Sequence, residues 1–101
     1  MNDYERLEQV FTIAKRMRDR VRGYQADGSL KTLPPIFDSA DRADIGAIQD
    51  LLSMVGSEDL AIEAIRRRAF RIGLDQKWTE SAAADIECTA SDLSVWIGSR
   101  R

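Results

Sequence analysis

The stretch AIEAIRRRAFRIG, residues 61–73, sets Arg66, Arg67 and Arg68 in a row and adds Arg71 three residues later. Guanidinium groups are permanent charges with a planar fork of donors that fits phosphates and carboxylates. Two chemistries are therefore open: an anion-binding surface, or the ion-paired wet side of a packed helix. A second basic run, KRMRDRVR at 15–22, brings Arg16 and Arg20 onto one outward helical face. Arg16, Arg20, Arg67, Arg68 and Arg71 are the candidate contacts to a partner.

Helical geometry limits what the first run can do. At about 100° per residue, three consecutive arginines fan across about 200° and cannot enter one groove together. Ile62, Ile65, Ala69 and Ile72 define a buried arc; Arg67 and Arg71 lie opposite it, and Arg66 and Arg68 flank it. Glu63 precedes Arg67 by four residues, the favourable orientation for an intrahelical ion pair.

Other chemistry is thinly provided. The chain has no histidine, which removes the usual general base, the Ser-His and Cys-His pairs and every histidine metal site. Its one cysteine, Cys88, has no thiolate partner for zinc or for an internal disulfide. Asp38, Asp41 and Asp44 are close together, but they suit the positive end of a helix dipole and lack the glycine and bidentate glutamate of a calcium loop. No glycine-rich phosphate loop is present. The expectation is a protein that is not an enzyme and that holds neither cofactor nor metal.

The elements that must position these groups are helical. Asn2, with Glu5 three residues on, caps a first helix over 2–24 whose apolar stripe runs through Leu7, Val10, Ala14, Met17, Val21 and Tyr24, to pack within the domain or as a dimer seam. Gly23 and the ADGS of 26–29 are expected to end it. LKTLPPIF, 30–37, then reads as an extended crossover that lays Leu30, Leu33, Ile36 and Phe37 on the core or offers them to a partner groove. A second helix, capped by Asp38, Ser39 or Asp41, runs to about Val55 before Gly56. A third, capped by Ser57, runs from Glu58 to about Ile72 with Gly73 as its stop.

The last helix begins near Asp75 or Thr79, runs to Ile97 and buries Ala82, Ile86, Ala90, Leu93 and Ile97, with Trp78 and Trp96 as core anchors. A second row of small residues, Ser81, Ala84, Cys88, Ser91 and Val95, marks Ala84, Cys88 and Val95 as a possible self-association face.

The fold class that follows is all-α: one domain over 1–101, a compact bundle of about four helices with an apolar Pro-Pro crossover. With 15 basic and 17 acidic residues the net charge is −2, so any basic surface is local. No secretory segment follows Met1 and no apolar run is long enough for a membrane span, which points to a cytoplasmic protein without a membrane partner.

By elimination, the first expectation is a small regulatory or inhibitory protein that binds another protein through helix faces and arginine clusters. The alternative is a dimeric DNA-binding regulator with a degenerate helix-turn-helix over 45–72. In that layout the N-terminal end of the second helix should read bases, and here it carries Glu58, Asp59 and Glu63.

Overall fold

The computed structural model describes residues 1–56 and 58–100, and among them the chain forms five helices. Four are long: α1 Asp3–Ala26, α3 Ser39–Ser53, α4 Leu60–Leu74 and α5 Glu80–Gly98; α2, Ser29–Thr32, is a single turn. The expected all-α bundle is the observed one. No described helix is long and apolar enough to cross a membrane.

Local chemistry starts each long helix. Asn2 accepts from the Glu5 backbone N–H at 2.8 Å. Asp38 and Asp41 form a reciprocal capping box at α3. Asp59 caps α4 and Thr79 caps α5. The predicted cap Ser57 lies outside the described residues.

The apolar arcs then close on one core. Leu7, Val10, Ala14, Met17 and Val21 of α1 are fully buried, so this stripe packs within the domain. Ile45, Ile48 and Leu52 of α3, the four arc residues of α4 and Ala82, Ile86, Ala90, Leu93 and Ile97 of α5 meet it. Helix α1 packs against α3 and α5, and α4 closes the other side between the same two helices. Trp78 is fully buried, whereas Trp96 is only partly so.

One expected stop is passed, and another is overrun by a single residue. Helix α1 continues through Gly23 to Ala26, since one glycine costs a helix interior only about 1 kcal/mol; Gly28, at φ 79°, supplies the left-handed exit. Helix α4 ends at Leu74, one residue past the expected stop at Gly73, and the left-handed residue is Gln76, at φ 64°. A Cβ at Gly73 would lie 2.6 Å from Gln49 Nε2, the far end of a flexible side chain that can swing aside, and 3.4 Å from Ile45 Cγ2.

The crossover is half as expected. Leu30 and Phe37 are buried, but Leu33 and Ile36 are 81% and 76% exposed. Residues 29–32 are helical rather than extended. Beyond the prolines, the Trp78 N–H donates to Pro35 O at 2.8 Å and the Phe37 N–H to Gln76 O at 3.1 Å. In that extended stretch side chains alternate, so turning Phe37 inward turns Ile36 outward. Phe37 meets Trp78 edge-on with ring centroids 4.9 Å apart.

Trp78→Ala is expected to cost about 3–5 kcal/mol in urea unfolding, through lost area and the cavity left behind. Trp78→Phe, which keeps one aromatic ring but loses the rest of the indole and the N–H that Asp41 accepts, should cost less than Trp78→Ala.

Candidate functional site

Arg16 and Arg20, expected to meet a partner, are turned by α1 onto the first turns of α3. Arg20 Nη2 lies 2.8 Å from both Asp41 Oδ1 and Asp44 Oδ2, and Arg16 Nη2 lies 2.6 Å from Asp44 Oδ1. Asp41 is 1% exposed and also accepts from Trp78 Nε1 at 3.1 Å and from the Asp38 backbone N–H at 3.2 Å. The carboxylates that suit the dipole of α3 therefore bind α1 and the Trp78 loop as well. Burial pushes the Asp44 carboxyl upward, but the hydrogen bonds from Arg16 and Arg20 outweigh it and hold the group below the ordinary carboxylate range.

The arginine run divides by helical phase. Arg66 folds back over the end of α3, donating to Leu52 O at 3.1 Å and to Val55 O, where positive charge satisfies carbonyls left over at a helix C-terminus. Arg68 reaches Asp92 on α5 at 2.6 Å. Arg71 makes a bidentate pair with Asp85 of α5, at 2.7 and 3.0 Å. Arg67 points outward with its side chain 78% exposed, 3.6 Å from Glu63. The run thus ties α4 to both neighbours and leaves Arg67 as its outward member.

Around Arg67 lies a surface that the sequence pattern did not bring forward. Leu60, Phe70 and Leu74, 85%, 63% and 64% exposed, share its outward arc. With Glu63 and Arg67 they recur at 60, 63, 67, 70 and 74, alternating by three and four residues as a helix-pairing seam does. The spacing is visible in the sequence, yet the stronger arc of Ile62, Ile65, Ala69 and Ile72 claims the core, and nothing local says that a second arc stays uncovered. Beside this ridge, an open groove of about 370 Å³ between α3 and α4 is lined by Gln49, Leu52, Ala69 and Phe70.

Ala84, Cys88 and Val95 are solvent-exposed on α5, in the row with Ser81 and Ser91. Arg22–Glu87 at 2.7 Å and Arg68–Asp92 border that row on its two sides. Near the end of α5, Trp96 donates to Asp59 at 3.3 Å and carries the Arg100 guanidinium 4.0 Å above its ring. No cluster of metal-ligating side chains occurs among the described residues. No protein-family model matches the chain, and no curated protein or solved structure matches it.

Two outcomes separate structural from surface arginines. Arg20→Ala should lower unfolding stability by about 2–3 kcal/mol, because it strands a buried carboxylate, whereas Arg67→Ala should stay within about 0.5 kcal/mol. The pH dependence follows from Asp44: a carboxyl depressed in the folded state stabilises fully above its unfolded pKa of about 3.9, and that contribution is lost as pH falls through the folded value. Urea unfolding as a function of pH should show an acid limb below about pH 4 that is shallower in Asp44→Asn.

Proposed function

We propose that this chain is a small, non-enzymatic regulatory or inhibitory protein that acts by binding another protein, and that the outer face of α4 is its contact surface. The supporting observation is the grouping of Leu60, Phe70 and Leu74 around Arg67 on one unpartnered arc. Large apolar side chains cost free energy in water, and contact surfaces favour aromatic residues and arginine at their centre. Arg71, 63% exposed although paired to Asp85, extends the charged edge. Arg16, Arg20 and Arg68 serve this surface indirectly, by holding the helices in place. A cytoplasmic setting belongs to the same proposal, on the ground of the single free thiol.

The geometry favours this over DNA binding. A helix-turn-helix over 45–72 would present the start of α4, where Asp59 and Glu63 repel phosphate. Arg66, Arg68 and Arg71 would have to leave carbonyl and carboxylate partners to reach a backbone.

Affinity capture from the source cells with the immobilised chain tests the proposal. Phe70→Asp and Arg67→Glu should each lose the captured protein while Cys88→Ser retains it; capture unaffected by both α4 changes would rule this face out. In fluorescence anisotropy with a random DNA duplex at about 50 and 200 mM salt, no saturable binding is expected at either concentration.

A further inference from the structure

We infer that the outer face of α4 binds a second copy of this chain, with the two α4 helices antiparallel across a two-fold axis level with residue 65, a partner identity that rests on the protein-binding reading of that face.

The face is complementary to itself. Leu60 and Phe70 lie five residues to either side of position 65, and Glu63 and Arg67 two residues to either side. When two such helices run antiparallel about that point, Leu60 of each copy meets Phe70 of the other, and Glu63 of each meets Arg67 of the other. At these four positions each apolar side chain faces an apolar one and each charge faces its opposite, as an isologous interface requires, while Leu74 lies beyond the paired stretch, level with Gly56 of the copy. The pairing also obeys helix geometry: positions 60, 63, 67 and 70 alternate by three and four residues, and antiparallel helices stack such positions in mixed layers. Ile65 itself is fully buried beneath the axis, so the seam leaves the core of each copy intact.

The charges are available for this exchange. Glu63 and Arg67 are 3.6 Å apart within one helix, with side chains 45% and 78% exposed; Glu63 also takes Arg66 Nη1 at 3.3 Å, and exposed intrahelical ion pairs of this kind are weak. Crossing to the partner's opposite charge costs little and shields both groups. Phe70 also lines the groove between α3 and α4, which gives the partner's Leu60 an apolar floor of Leu52 and Ala69. Paired in this way, the outer face of α4 is covered by its copy, so a DNA groove or a different protein could take it only in place of that copy.

A charge swap tests the register. Sedimentation equilibrium of the full chain over about 1–500 µM, the range in which a small interface with few anchors dissociates, should show a reversible monomer–dimer equilibrium. Arg67→Glu and Glu63→Arg should each weaken the dimer by about tenfold or more, since two attractive contacts become repulsive at once. The double variant Glu63→Arg/Arg67→Glu should restore it, which a variant that failed to fold could not do. Phe70→Asp should be monomeric with an unchanged helical circular-dichroism spectrum. A wild-type chain that stays monomeric overturns the inference, as does a dimer indifferent to the single reversals or a double variant that stays dissociated. The protein-binding proposal fails separately: a monomeric wild type leaves the capture result standing, and a monomeric Phe70→Asp that still captures the same protein overturns the heterologous role of α4 while the self-pairing stands.

Discussion

The buried carboxylate of Asp41 is the constraint on which the arrangement depends. It begins a helix, so its own backbone neighbourhood already favours negative charge. Burying it at 1% exposure is tolerable only because each oxygen is used: Arg20 grips one, while Trp78 and the Asp38 backbone N–H donate to the other. The group thereby joins α1, the start of α3 and the loop that leads into α5. Asp44, one turn on, takes Arg16 and shares Arg20, so the cluster is a network rather than a pair. A buried ion pair gives little net stability over an apolar substitute, but an incomplete one is costly, and this gives the network its power to set helix register.

Helix α4 has no buried network of that kind and is held along its edges. Arg66 reaches carbonyls at and just past the C-terminus of α3, and Arg68 and Arg71 reach carboxylates on α5. These ties use most of the positive charge that makes the sequence look suited to nucleic acid. What is left on the outer arc is one arginine, one glutamate and three large apolar groups. A helix secured along both edges and uncovered in between is a rigid ridge, and contacts made by a rigid ridge lose little conformational entropy.

The crossover shows where local rules and tertiary demands part. Leu30, Leu33, Ile36 and Phe37 are alike to a pattern that counts apolar residues, yet only Leu30 and Phe37 are buried. Phe37 is chosen because an extended backbone beside Gln76–Trp78 alternates its side chains and Trp78 offers an aromatic face. Gly23 misleads similarly: it resembles a stop, yet it sits inside a helix that packing sustains.

The sequence by itself determined the all-α class, the cap Asn2, the short stretches that hold the caps Asp38 and Thr79, and the buried arcs of α1, α4 and α5. These follow from side-chain spacing and from hydrogen bonds within three residues, which are local matters. It also left Arg67 and the small-residue row on α5 facing outward. Only the tertiary structure decided which arginines are consumed. Arg16, Arg20, Arg68 and Arg71 find their carboxylates 14 to 28 residues away in the chain, and no local pattern encodes a partner at that distance. The same holds for Leu60, Phe70 and Leu74: whether an apolar residue is covered depends on where neighbouring helices lie, and among the described residues α4 packs against α3 and α5 along its two edges and leaves these side chains exposed.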